Sequence, residues 1–92
     1  MTSDEQEILR ITQEECAEVI QAVSKIFRFG FDTEWNGETN REHLEEEVGD
    51  LLAMIYILQS ANIINEEKVI EASEAKIEKL KKWSRISLVI DK

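Results

Sequence analysis

Two short acidic segments carry the residue types and spacing that could do chemistry: Glu14-Glu15-Cys16-Ala17-Glu18 and Glu45-Glu46-Glu47-Val48-Gly49-Asp50. Residues three apart on a helix lie about 60° apart around the axis and about 5–6 Å apart at Cβ. Glu15 with Glu18, and Glu47 with Asp50, therefore each project two carboxylates from one side of a helix. These acids border apolar stripes, since Glu15 follows Ile11 by one turn, Glu18 precedes Ala22, and Glu47 lies between Leu44 and Leu51. Acids so placed face another helix. Four facing carboxylates cannot all stay ionised without cations, and the ion that suits clustered hard oxygens is magnesium, with manganese as a substitute. Calcium fits less well without loop carbonyls. A di-iron bundle needs Glu-x-x-His pairs, whereas His43 is the only histidine and stands outside both segments. His43 reads as a solvated or hydrogen-bonded helix residue. Helix starts also favour acids through the macrodipole, and Thr12-x-x-Glu15 has the form of a capping box. That account covers Glu42, Glu45 and Glu46, but not two equally spaced pairs beside core positions.

The elements that must position these acids are helical. There is no proline, and the glycines fall only at 30, 37 and 49, so long helices are permitted. The patterning predicts a first helix over about 3–29, capped by Ser3-x-x-Gln6 and stopped at Gly30. A second is predicted over 40–60, capped by Thr39-x-x-Glu42, with its C-terminal half central in the core. A third follows over 65–84 from an Asn65 cap, narrow-faced and peripheral. Residues 30–39 lose the periodicity and contain Asn36-Gly37, which reads as a loop. The tail 86–90 is apolar and β-prone, suited to docking against a partner subunit. The expected fold is an all-α antiparallel helical bundle in a single domain spanning 1–92.

Composition narrows the partners. The chain has 92 residues and a formal charge of −9, from 20 acidic against 11 basic side chains. Such a surface repels a nucleic acid backbone, yet a small phosphorylated molecule can bind where divalent cations bridge it to carboxylates. A chain this short buries only about 60–65% of its unfolded surface, so self-association into a homodimer or homotetramer is expected. Cys16, the lone cysteine, reads as core packing, with neither a disulfide nor a thiolate cluster available. No apolar stretch approaches a membrane span, and the acidic N-terminus gives no targeting pattern, so the expectation is a cytoplasmic protein with no membrane partner.

At the acidic segments the chain resembles the MazG-like all-α nucleoside triphosphate pyrophosphohydrolases, whose signature is Glu-Glu-x-x-Glu followed by Glu-x-x-Asp. Glu14-Glu15-x-x-Glu18 is followed, after residues 19–46, by Glu47-x-x-Asp50, and Glu47-Val48-Gly49-Asp50-Leu51-Leu52 is similar to the family's second helix. The similarity covers roughly residues 8–60 and adds little beyond about 62. It implies that Glu15, Glu18, Glu47 and Asp50 are magnesium ligands. The implied reaction hydrolyses a nucleoside triphosphate between the α- and β-phosphates, giving a monophosphate and pyrophosphate. The residues agree with this, since there is no serine–histidine pair and no reactive cysteine, which leaves water as the nucleophile. Glu14 is the spare carboxylate able to take the water's proton. Lys25 and Arg28, further along the first helix, are placed to reach phosphate oxygens, and read equally well as solubilising surface charges. Asn40 is placed to touch sugar or base, and Trp35 to stack on a base, although both also have structural readings.

Two alternatives remain open. Phosphoribosyl-ATP pyrophosphohydrolase shares the four-carboxylate logic, and a non-catalytic helical adaptor would use the acids as a structural ion site or solvated face and the apolar tail as its docking element. No residue selects a particular base.

Overall fold

A computed structural model describes residues 1–86 and Val89. Three helices carry the chain, α1 (Ser3–Phe29), α2 (Asn40–Ser60) and α3 (Glu66–Trp83), with two short strands, β1 (Glu34–Trp35) and β2 (Glu38–Thr39), between the first two helices. The expectation of a mainly helical fold holds.

Local chemistry explains the boundaries. The N-cap of α1 is Thr2, one residue before the Ser3 cap expected from sequence. Thr2 Oγ1 accepts from Glu5 N at 3.1 Å, and Glu5 Oε1 accepts from Thr2 N at 2.7 Å, so the capping box belongs to Thr2 and Glu5. The helix stops at Gly30, whose φ of +91° a side chain would strain. Thr39 caps α2 through the same reciprocal pair with Glu42. Asn65 Oδ1 accepts from Lys68 N at 3.0 Å to start α3.

The segment expected as a plain loop contains a hairpin, with Glu34 opposite Thr39 and Trp35 opposite Glu38. Asn36 and Gly37 adopt φ of +55° and +80°, the left-handed pair that closes a two-residue hairpin turn with the correct twist. Strands of two residues have no alternation to detect, which is why periodicity missed them. The hairpin is tied to the helices at its base. Asn40 N donates to Thr33 O at 3.1 Å, Arg41 N donates to Phe31 O at 2.9 Å, and Asn40 Nδ2 donates to Gly30 O at 2.9 Å.

Helices α1 and α2 run antiparallel and form the one extensive interface among the described elements. The core is thin: among the described residues Ala22, Met54 and Leu58 are its buried apolar residues, and Asn40, at the start of α2, is the buried polar one. Met54 and Leu58 lie in the C-terminal half of α2, as its apolar pattern anticipates. Helix α3 buries no residue, and only Val69 and Leu80 within it are half-buried. The expected bundle is therefore a close helix pair with a third helix at its edge. Cys16, expected in the core, is exposed. It lies about 100° around α1 from Glu15, which faces α2, and so it points away from the helix pair. Of the apolar tail expected to dock, Ser87, Leu88 and Ile90 lie outside the described residues.

The radius of gyration is 16.0 Å, against about 12 Å for a compact domain of this length. The accessible surface is 7474 Å², against about 5,500 Å² for a compact protein of 10.7 kDa. Apolar side chains make up part of that surface, including Phe27, Leu52 and Tyr56. Among the described residues no helix is long and apolar enough to cross a membrane.

The hydrogen bonds from Thr39 hold the Glu42 carboxyl below its ordinary value of 4.5. A depressed acid contributes stability above its unfolded pKa and loses it as pH falls through the folded value. Thr39→Ala should therefore destabilise the protein by about 1 kcal/mol, lowering Tm by about 4–8 °C at neutral pH. The deficit should shrink in acid, and an unchanged Tm in thermal unfolding would contradict the capping role.

Candidate metal centre

The antiparallel pairing of α1 and α2 sets opposite one another the two acidic segments singled out in the sequence. Each of Glu15, Glu47 and Asp50 offers a carboxylate oxygen, and these three oxygens all lie within 4.8 Å of one another. Glu15 and Glu47 are half-buried and Asp50 is exposed. Glu47 and Asp50 come together because they are one helical turn apart, whereas Glu15 reaches them only because α1 packs across α2. Glu18 is not in this group, although its charge acts on Glu15. Glu14 is exposed and also lies outside the group.

The Glu15 carboxyl is pushed above its ordinary value of 4.5, first by partial burial and then by the charges of Asp50, Glu47, Glu18 and Glu14. Every one of these influences disfavours a further negative charge. Three hard oxygen donors under mutual repulsion suit a divalent cation such as magnesium, which takes carboxylates and keeps several waters. The donor set thus fits a divalent cation.

His43 occupies the same face of α2 one turn before Glu47, and its Nε2 stands 3.3 Å from Glu47 Oε1. By its sequence position this histidine reads as a solvated or hydrogen-bonded helix residue. The i, i+4 spacing from Glu47 was the available signal of its contact with the acidic group.

His43 also lines a cavity of about 670 Å³ at the hairpin end of the helix pair, with Lys25 and Phe29 of α1, Asn40 of α2, and Trp35 and Glu38 of the hairpin among its other walls. Lys25 and Asn40, both singled out in the sequence, meet here. Arg28 does not line the cavity, and its guanidinium lies over the Phe29 ring at 4.9 Å from the centroid. Trp35 remains 72% exposed at the cavity. The Glu38 carboxyl is raised by burial and by Glu46, with which it shares a hydrogen bond, while His43 works in the opposite direction. Sequence reading missed Glu38 because its proximity to this cavity depends on the hairpin.

The model of the MazG nucleotide pyrophosphohydrolase domain matches residues 3–86. This span takes in α3 as well as the 8–60 region whose motifs carry the resemblance. No curated protein and no solved structure matches the chain significantly.

A raised acid contributes stability that is present at low pH and lost as pH rises through its folded value. On account of Glu15, the metal-free protein should lose stability as pH rises above the ordinary carboxylate value of 4.5. Magnesium at about ten times its dissociation constant should then raise Tm by about 5–10 °C at neutral pH and have little effect in acid. Glu15→Gln should flatten both responses. A magnesium effect on Tm that survives Glu15→Gln, Glu47→Gln and Asp50→Asn would place the ion elsewhere.

Proposed function

The chain belongs to the MazG nucleotide pyrophosphohydrolase family, and from that premise we propose that it hydrolyses nucleoside or deoxynucleoside triphosphates to a monophosphate and pyrophosphate in a magnesium-dependent reaction. The observation that carries this reading is the convergence of Glu15, Glu47 and Asp50 within 4.8 Å beside a cavity large enough for a nucleoside.

The residues divide the work along the groove between α1 and α2. Glu15, Glu47 and Asp50 would hold the ion, with Glu18 completing the set from the next turn of α1. Magnesium, when bound, supplies positive charge against the phosphate oxygens and increases the acidity of water. Without such an ion the acidic groove repels a triphosphate, so the chain's own charge makes binding depend on the cation. His43 holds one oxygen of Glu47 from the side facing the cavity, an outer contact of the kind that orients a carboxylate ligand. Lys25 stands on the cavity wall, where its ammonium can meet a phosphate or sugar oxygen. Glu14, exposed one residue before Glu15, is the carboxylate free to accept a proton from water.

The working form is a homo-oligomer. The surface in excess of a compact monomer is about 2,000 Å², more than the roughly 800 Å² that each partner contributes to a standard interface. Phe27, at 87% exposure, and Leu52 and Tyr56 are the apolar side chains such an interface would cover.

Incubation with each NTP and dNTP plus magnesium should yield monophosphate and pyrophosphate, separable by ion-exchange chromatography. Loss of an outer contact to a metal ligand costs about 10–100-fold, so Glu47→Gln and Asp50→Asn should each lower turnover by at least about 100-fold. No turnover of any nucleotide, or full activity in both variants, overturns the reading. In sedimentation the protein should run as a dimer or tetramer at micromolar concentration, and Leu52→Glu should shift it towards monomer. A monomeric wild-type chain would contradict the assembly.

A further inference from the structure

Helix α3 carries a pattern of charge that neither the candidate ion site nor the helix pair uses. We propose that it is a self-complementary interaction surface, which pairs antiparallel with α3 of a second copy of this chain about a two-fold axis between Ser73 and Ile77. This inference rests on the homo-oligomer reading and adds a second contact to it.

The charges divide along the helix. Glu66, Glu67, Glu71 and Glu74 lie in its first half, with Lys68 the one base there. Lys76, Lys79, Lys81 and Lys82 lie in its second half, with Glu78 the one acid, and Arg85 follows the helix end. The macrodipole favours acids at a helix start and bases at its end, but it acts only within the first and last turns. It accounts for Glu66, Glu67, Lys81 and Lys82 and leaves Glu71, Glu74, Lys76 and Lys79 unexplained. A straight helix cannot bring its two halves together, because side chains pair along it only over one turn, as Lys81 does with Glu78 at 3.6 Å.

A seam runs along the same helix. Ile70, Ser73, Ile77, Leu80 and Ser84 follow one another at intervals of three, four, three and four residues, the spacing by which two helices meet along a common line. Ile70 and Ile77 are 48% and 38% exposed, Ser73 and Ser84 are exposed, and Leu80 is half-buried. Among the described elements, α3 buries no residue and shares no extensive interface with α1 or α2. Two packed helices are about 20 Å across, whereas the molecule measures 42 × 38 × 17 Å, so α3 leads away from the pair.

The pattern selects the occupant. Glu67 and Lys81 flank one side of the seam two heptads apart, and an antiparallel copy sets each beside the other's counterpart. Val69 and Trp83 flank the other side and meet in the same way. Glu74 and Lys76, next to the axis, face their own copies and weaken the contact, but a parallel pair would set Lys76 against Lys81 and the acidic halves against each other. Nucleic acid and anionic lipid are repelled by residues 1–67, whose bases are Arg10, Lys25, Arg28 and Arg41 alone among many carboxylates. The seam is shorter than the roughly three to four heptads of a free-standing coiled coil. It therefore works within the assembly that covers Phe27, Leu52 and Tyr56.

The test is thiol cross-linking of the full chain carrying Cys16→Ser, which removes its native cysteine. Ser73→Cys, close to the axis, is expected to join two copies through a short bismaleimide. Ser84→Cys, about 25–30 Å from its counterpart in an antiparallel pair by the rise of 1.5 Å per residue, is expected not to. Links at both positions would mean a parallel pair, and links at neither would mean that something other than α3 covers the seam; either result overturns the proposal. Charge exchange gives a second readout. Glu67→Lys and Lys81→Glu, made in separate chains, should each lower the Ser73→Cys cross-link by about fivefold, and an equal mixture of the two chains should restore it. A yield unmoved by either substitution, or not restored by mixing, also overturns the pairing. Dimers or tetramers in sedimentation without the Ser73→Cys link bring down this inference alone, whereas a monomeric chain brings down the assembly with it.

Discussion

Carboxylates that face one another across a helix pair repel, and here they occupy the one extensive interface that α1 and α2 share. Much of the rest of the molecule can be understood from that conflict. The groove that holds Glu15, Glu47 and Asp50 cannot also be an apolar seam. Burial and neighbouring charge push Glu15 above the ordinary carboxylate range, so the closed helix pair favours a proton or a cation at this point. Apolar packing along the pair must outweigh the repulsion, and its buried residues flank the acids, Ala22 one turn beyond Glu18 on α1 and Met54 and Leu58 one and two turns beyond Asp50 on α2.

A polar groove leaves little interior for apolar residues. With three buried apolar side chains among the described residues and a third helix in which only Val69 and Leu80 are half-buried, the single chain exposes surface that a compact protein of its mass would cover. Hydrophobic burial is the main favourable term in folding, so an assembly that covers Phe27, Leu52 and Tyr56 supplies what the helix pair lacks. Site and assembly are connected by this trade: residues given to ion binding are unavailable for the core.

The hairpin has a different physical basis. Its strands are too short to persist alone, and its position depends on Asn40, which is buried at 7% exposure and bonds to both Gly30 and Thr33. One residue, through its side-chain amide to Gly30 and its main-chain N–H to Thr33, thus joins the end of α1, the start of α2 and the hairpin. It does so at the mouth of the cavity, where Trp35 and Glu38 depend on that anchoring for their place.

Several features were legible in the sequence because they are local. Caps at Thr39 and Asn65, the stop at Gly30 and the pairing of acids at three-residue spacing follow from backbone chemistry within one or two turns. The apolar periodicity identified three helices, and motif order identified the family that the match over residues 3–86 establishes. Periodicity could not see two-residue strands, and a cysteine inside an apolar pattern gave no measure of which way it faced, so the hairpin and the exposure of Cys16 emerged only from packing. The sequence by itself determined that two carboxylate pairs exist on two helices. Tertiary structure decided that Glu15 meets Glu47 and Asp50, that Glu18 stands apart from their close group, and that His43, Lys25 and Trp35 share a cavity beside them. Distances between helices depend on the crossing of α1 and α2, a property of the whole interface that no local spacing encodes.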